Sequence, residues 1–196
     1  MEVVEVEKDK EAVASEDFAH LLHPYNTTLV TTKNKDGKAN VLAVAWIIPV
    51  SASPPYLAMS IRPQRHSYQL LMENPEFIVN IPTYDLATQI VLCGRHSGKD
   101  HDKLQETGLT PERAKMVSAP IIKQCIAHIE CKLERTIETG DHILCIGRVI
   151  AAYASKKHFN KGYDPIQHKP ALHLRGNIFT TTIDNAEDLT QTLQKQ

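Results

Sequence analysis

The chain has no apolar run long enough to cross a bilayer as a helix. Its longest, Val41 to Val50, is about half the required length and is broken by Pro49. Neither sign of charge is in excess, with 22 Lys plus Arg against 23 Asp plus Glu, so no overall field draws the protein to nucleic acid or an anionic membrane, and any anion site has to be local. The glycine patterns of dinucleotide and triphosphate sites, G-x-G-x-x-G and G-x-x-x-x-G-K-[ST], are both missing. Cysteine is scarce: Cys93, Cys125, Cys131 and Cys145 lack C-x-x-C spacing, which argues against a disulfide framework and a zinc site and leaves buried thiols as the simpler expectation. The ten histidines show no H-E-x-x-H or comparable ligand spacing, so no bound metal is expected. The N-terminus, MEVVEVEKDKEAVASED, lacks the basic start and apolar centre of a secretory signal, and a soluble, cytoplasmic protein is expected. Repeats and low-complexity tracts are absent as well.

What is present fits one domain: 196 residues with 42% hydrophobic side chains can bury one good core. The expected organisation is a charged arm over 1–15, a domain over 16–184 and a polar tail over 185–196 that is helical from Asn185. A short helix from Ser15 or Glu16 to Leu22 precedes β-type composition: Thr27 to Thr32, a turn at Asp36-Gly37, then a single strand from Ala39 to Ile48. Ser51 to Pro55 reads as a loop and Tyr56 to Ile61 as a strand. Ser67 is placed to cap a helix that Asn74-Pro75 ends, and Phe77 to Ile81 is a further strand. Asp85 is expected to cap a helix stopped by Gly94, and Asp100 one stopped by Gly108. Cys125, Ala127, Ile129, Cys131 and Leu133 then alternate with His128, Glu130, Lys132 and Glu134, the pattern of a half-buried strand. Thr139-Gly140-Asp141-His142 supplies a tight hairpin, and Ile143 to Ala154 returns as a long strand. Strands with short connections and brief helices predict a mainly β fold, an antiparallel Greek-key barrel with peripheral helices.

Four segments carry chemistry. Asn40 to Ser51 is an apolar strand running into a Pro-bounded loop; backbone groups at its end can bond a planar heterocycle while Trp46 and Pro49 wall it, although a packed core strand explains the same residues. Ser60 to Tyr68 delivers two arginines, a histidine and hydroxyls to a helix start, a combination suited to phosphate and equally to an exposed turn. Cys93 to Lys103 repeats that device with glycines and lysines. Gly140-Asp141-His142 sets an imidazole at the mouth of the long hairpin, where an idle surface histidine is the plainer alternative.

Taken in order, Ala45-Trp46 with Pro49-Val50-Ser51, Pro54-Pro55, Ser60-Ile61 with Arg65 and Ser67-Tyr68, Phe77 to Pro82, Cys93-Gly94 with Ser97-Gly98 and Asp100, Gly140-Asp141-His142, and Pro170 to His173 give the chain its resemblance. From about Tyr25 to Thr182 it resembles the flavin reductase-like family of FMN-binding split-barrel proteins, which includes flavoredoxins and archaeal NAD(P)H-dependent ferric reductases. The resemblance implies an FMN-binding split barrel and a homodimer with FMN near the subunit interface. It implies that Ala45, Trp46, Ile47, Pro49, Val50 and Ser51 line the isoalloxazine, and that Ser60, Arg65, His66 and Ser67 hold the ribityl phosphate. Ser97, Gly98, Lys99 and Lys103 form the second set of contacts beside Cys93, with Gly140, Asp141 and His142 on the nicotinamide side. Ala43 and Ile48 stand where many relatives have hydroxyls, and Arg175 where a second glycine is common.

The implied activity passes electrons from NADH or NADPH through FMN to a small-molecule acceptor such as free flavin or a ferric chelate. In it, His142 positions the nicotinamide and the cofactor carries the redox chemistry. Two other readings stay open: a non-enzymatic FMN electron carrier reduced by a protein partner, and a β-barrel binding module without flavin.

Overall fold

A computed structural model describes residues 10–164 and 166–183. The helix expected in the tail, and the first nine residues of the arm, lie outside the described residues. A 3-10 helix over Ser15–Leu22 leads into twelve strands: β1 (Tyr25–Asn26), β2 (Thr28–Lys33), β3 (Ala39–Val44), β4 (Ile47–Ala52), β5 (Pro55–Ile61), β6 (Glu76–Ile81), β7 (Pro111–Glu112), β8 (Ile121–Ile122), β9 (Ala127–Thr139), β10 (His142–Ala154), β11 (Leu172–Arg175) and β12 (Ile178–Thr180). The α-helices are α1 (His66–Glu73), α2 (Ala87–Arg95) and α3 (Lys103–Thr107). Among the described residues no helix is long and apolar enough to cross a membrane.

Seven strands form one antiparallel sheet in the order β3-β2-β6-β9-β10-β5-β4. Its two edge strands, β3 and β4, are neighbours in the chain, joined by only Ala45 and Trp46, so the sheet has to curl until its edges meet. The Ser60 N–H donates to the Trp46 carbonyl at 2.9 Å on one side of this seam, and the Thr28 hydroxyl donates to the Val44 carbonyl at 3.0 Å on the other. The single strand expected from Ala39 to Ile48 is therefore two, and Ser51 and Ala52, expected in a loop, belong to β4. The reason is that apolar residues run without interruption through the corner, so hydrophobicity does not mark it.

The curled sheet encloses one interior, to which Val30, Leu42, Val44, Leu57, Met59, Phe77, Val79, Cys131 and Cys145 contribute. Phe77 fills it so tightly that a Cβ on Gly147 of β10 would lie 2.4 Å from the ring. The four cysteines are free and buried. Burial pushes the Cys93 and Cys145 thiols up to about 11 and Cys131 up to about 12, so these sulfurs are packing groups.

The strand predicted as half-buried around Cys131 exposes Lys132 and Glu134 as expected, but over its first half it is covered on both faces. His128 and Glu130, on its polar face, are covered by the segment from Ala114 to Ile122. Glu130 accepts from the backbone N–H groups of Lys115, Met116 and Val117 at 2.9, 2.6 and 2.9 Å and from the Tyr153 hydroxyl at 2.9 Å. Burial alone would raise its carboxyl, but these four donors hold it below the usual range. Asn80 works alike: its amide nitrogen donates to the Leu29 carbonyl at 2.9 Å, while its oxygen accepts from the Ile122 N–H and His128 Nδ1 at 2.9 and 2.8 Å. Buried polar groups so paired tether the outer segment to the barrel wall.

The helices follow the predicted order with different ends. No side chain caps α1: Arg65 occupies the N-cap position, and Ser67 lies inside the first turn with its hydroxyl accepting from Asn40 at 2.7 Å. Asp85 sits in a 3-10 turn, accepting from the Thr83 hydroxyl, and α2 runs through Gly94 to Arg95. Asp102, not Asp100, caps α3 by accepting from the Gln105 N–H at 3.1 Å; Gly108 ends it at φ +67° as expected.

Candidate functional site

Two adjoining cavities of about 430 and 160 Å³ share Ala43, Ala45, Arg65 and Gly94 and make one groove over the seam between β3 and β4. Its size falls among ordinary small-ligand sites, ~300–1,000 Å³. Ala43 and Ala45 form its floor. Gly94 lets α2 lie close against it, because a Cβ there would already be 3.4 Å from that of Ala43.

One end is aromatic. Trp46, 40% exposed where the chain crosses the seam, faces His142 with ring centroids 5.0 Å apart and planes tilted by 34°. The hairpin at Gly140, φ +67°, turns His142 back toward the seam. His142 Nδ1 donates to Asp141 Oδ1 at 2.7 Å, and Asp141 also pairs with Arg62 at 3.1 Å. The hydrogen bond from His142 comes first among the causes that hold the Asp141 carboxylate below its usual range. Fixing Nδ1 in this way leaves Nε2 as the nitrogen available to a ligand. Ser60 lies in the same part of the groove.

The other end is cationic. Arg65 lines both cavities at the start of α1, where no side chain satisfies the first-turn N–H groups. Behind Gly94, the Lys103 side chain is buried, with its ammonium donating to the Cys93 carbonyl at 3.1 Å. Burial, with Arg65 adding to it, lowers Lys103 to about 8. The loop from Ser97 to Lys99 packs here too: a Cβ on Gly98 would be 2.0 Å from Asn40 Oδ1 and 3.3 Å from the His66 ring. Two converging cations, one of them buried with a single hydrogen bond, make a place for an anion. Thr27 is buried beside the larger cavity, and its hydroxyl has no hydrogen-bond partner there.

The fold thus brings Ala45, Trp46, Ser60, Arg65 and His142 to one groove and puts Lys103, His66, Ser67 and Gly98 behind its cationic end. It does not bring Ile47, Pro49 and Ser51 there. They line a separate apolar groove of about 310 Å³ that reaches core residues Val79 and Ile81, while Val50 sits beside Glu134 and Arg135 in a fourth hollow. The change of strand at Trp46 is the reason. Cys93 reaches the site only through its carbonyl, since its thiol is in the core; Lys99 is solvent-exposed, as is Arg175. Sequence reasoning missed Thr27, Arg95, His173, Gly176, Asn177 and Phe179, which close the larger cavity. Arg95 Nε donates to Asn177 Oδ1 at 2.8 Å, joining α2 to the β11–β12 turn at its rim. The sequence signals for that wall are Pro170 to His173, which belongs to the resemblance without a site role, and Arg175-Gly176, where an arginine stands in place of a common second glycine.

A family model described as the flavin reductase like domain matches residues 20–182. The chain belongs to the flavin reductase-like family. This flavin reductase-like protein is 34% identical over 161 residues to an uncharacterized protein of Archaeoglobus fulgidus, covering 82% of this chain and 89% of that one. It is 32% identical over 151 residues to a flavin reductase of Pseudomonas putida, covering 76% and 85%. Among solved structures, flavoredoxin of Methanosarcina acetivorans superposes with a TM-score of 0.83 at 27% identity over 95% of this chain and 98% of that one. An FMN-binding protein from Thermus thermophilus, at 21% identity, shares the fold with a TM-score of 0.82 over 93% and 99%. The groove described above is accordingly the candidate site of a flavin reductase-like split barrel.

Proposed function

We propose that this protein holds FMN in the groove and passes electrons from NADH or NADPH to a small-molecule acceptor such as free flavin or a ferric chelate. The observation that carries the reading is the groove's polarity: an exposed tryptophan and an oriented imidazole at one end, a surface arginine backed by a buried lysine at the other. A flat ring with an anionic tail matches both ends. FMN would rest its ring by Ala45 and Trp46, with its phosphate toward Arg65, Lys103 and the first turn of α1. When bound, it supplies the hydride and electron transfer chemistry.

The protein's own groups position and exclude. Ala43, where many relatives have a hydroxyl, leaves the floor apolar, so polar contact with the ring has to come from backbone. His142, its tautomer set by Asp141, orients an incoming nicotinamide through Nε2 and moves no proton in the transfer. Arg95 and Asn177 narrow the outer rim.

The homodimer is part of this proposal. β4 exposes Ile48 and Val50 at 61% and 48% beside the apolar groove at Ile47 and Pro49, surface a second copy would cover. Light scattering on purified protein measures it.

Denaturing the purified protein and weighing the released small molecule tests the cofactor; the mass of FMN is expected, and a colourless protein that takes up none on soaking refutes the reading. Anaerobic stopped-flow mixing with NADH and with NADPH tests the donor. Bleaching within seconds is expected, whereas flavin that stays oxidised indicates a carrier reduced by another protein.

A further inference from the structure

We infer that His96, His101 and Glu106 form a binding site for one divalent transition-metal ion at the solvent edge of the loop between α2 and α3. The three side chains each offer a donor atom, and these atoms all lie within 4.8 Å of one another. The inference rests on neither the flavin nor the nicotinamide.

The spacing is that of a ligand set. An ion with ~2.0–2.1 Å arms in tetrahedral arrangement has donors about 3.3–3.4 Å apart. His96 Nδ1 lies 3.4 Å from Glu106 Oε2, and His101 Nδ1 lies 3.2 Å from the same oxygen and 3.0 Å from Oε1. The imidazoles are stacked, centroids 4.3 Å apart and planes 24° from parallel, so both turn the same nitrogen to one carboxylate. A single hydrogen bond would satisfy either ring. Two protonated rings in that stack would repel, whereas two neutral rings and one carboxylate carry a net charge of −1 that attracts a dication.

The backbone holds these positions before any ion arrives. The His96 N–H donates to the Leu92 carbonyl at 3.0 Å, that of His101 to Ser97 at 3.0 Å, and that of Glu106 to Asp102 at 2.9 Å. With side chains about 40% exposed, the site opens to solvent, leaving room for water or an exogenous ligand in the fourth position. Imidazole and carboxylate donors favour Zn²⁺, Ni²⁺ or Cu²⁺ over Mg²⁺ or Ca²⁺. The residues stand at intervals of five, so no ordinary ligand motif is visible in the sequence; the turn at Ser97 and the start of α3 bring them together. Because His96 and His101 bracket Ser97 to Lys99, an ion would fix both ends of that loop to α3.

Zn²⁺ titrated calorimetrically into full-length protein, stripped with chelator and exchanged into chelator-free buffer, tests the site. One ion per chain is expected, with affinity weakened roughly tenfold or more in His101→Ala and in Glu106→Gln. Both positions are exposed, so the metal-free melting temperature should not move; loss of binding with an unchanged melt supports the site. Cu²⁺ added to wild-type protein gives a readout free of any variant: its electron paramagnetic resonance spectrum should show coupling to two imidazole nitrogens. Absence of saturable Zn²⁺ binding, wild-type affinity in both variants, or a Cu²⁺ spectrum with fewer than two nitrogens would overturn the inference.

Discussion

Replacing Lys103 with methionine separates a ligand-binding lysine from a structural one through its pH dependence. The fall of Lys103 from the ordinary 10.5 to about 8 corresponds to about 3 kcal/mol against the charged form in the folded protein. Below pH 8 folded and unfolded chains both carry the proton, and the folded state bears the whole penalty. Between pH 8 and 10.5 the folded chain has released it and the unfolded chain still holds it, so this group makes stability rise with pH. The thiols act the other way: raised in the fold, they keep protons that the unfolded chain loses above about pH 9, and their contribution falls as pH climbs. The informative quantity is therefore the difference between wild type and Lys103→Met in FMN-free protein, measured by urea unfolding from pH 7 to 10. Methionine leaves the Cys93 carbonyl without its donor, a loss of about 1–3 kcal/mol that does not vary with pH. On that constant, the stability of the variant relative to wild type should fall by about 2–3 kcal/mol across the window. FMN affinity supplies the second arm. A bound phosphate restores the lysine's proton, so the wild-type Kd should rise above pH 8, approaching tenfold per unit, while the variant binds weakly at every pH. Parallel stability curves for the two proteins, or FMN affinity equally flat in both, would refute the anion role of Lys103.

His142→Ala should lower the rate of NAD(P)H oxidation roughly 10- to 100-fold while leaving the FMN Kd within about twofold, measured by stopped-flow and fluorescence titration; equal loss of both would put the imidazole on the flavin instead. Gly147→Ala pushes a methyl into Phe77 and should cost about 1–3 kcal/mol in urea unfolding with no selective effect on the groove. Glu130→Gln loses the charge that four donors converge on, and should destabilise by about 2–3 kcal/mol at neutral pH. Because the wild-type Glu130 carboxyl is held low, that gap should persist as pH falls through the usual carboxylate range and close only below it. Amide exchange at Lys115 to Val117 should quicken in the variant.

The parts of the fold that were legible are those with local signals. Thr139-Gly140-Asp141-His142 announced the β9–β10 hairpin, and alternation around Cys131 announced its first strand. That alternation was right for the exposed Lys132 and Glu134 and misjudged the burial of His128 and Glu130, because polarity on one face says only that the face is not apolar. It cannot say that Lys115, Met116 and Val117 will return to give Glu130 their amides. The corner at Ala45-Trp46 was hidden for the opposite reason, apolar residues continuing through it. Candidate site residues were found segment by segment, while their meeting was not: Trp46 and His142 are nearly a hundred positions apart, and only the order of strands sets one ring against the other. Thr27, Asn177 and Phe179 carry no chemical pattern at all and line the groove solely by place.

The treatment of buried polar groups distinguishes the barrel's structural side from its binding side. Glu130 and Asn80 are deeply buried, and every bond they need is supplied from within the chain. Lys103 is nearly as buried, yet it has one carbonyl and a neighbouring arginine that repels it, and Thr27 beside the groove has no side-chain partner. Unpartnered buried atoms occur elsewhere, at Thr32 and Gln89 for example, so an orphan alone identifies nothing. A buried cation adds a charge whose penalty the chain leaves uncompensated, and a fold keeps such a charge at a site where a ligand relieves it. Arg65, at an uncapped helix start on the same groove, favours an anion as that ligand, which is why the Lys103 experiment bears most directly on the cationic end of the groove.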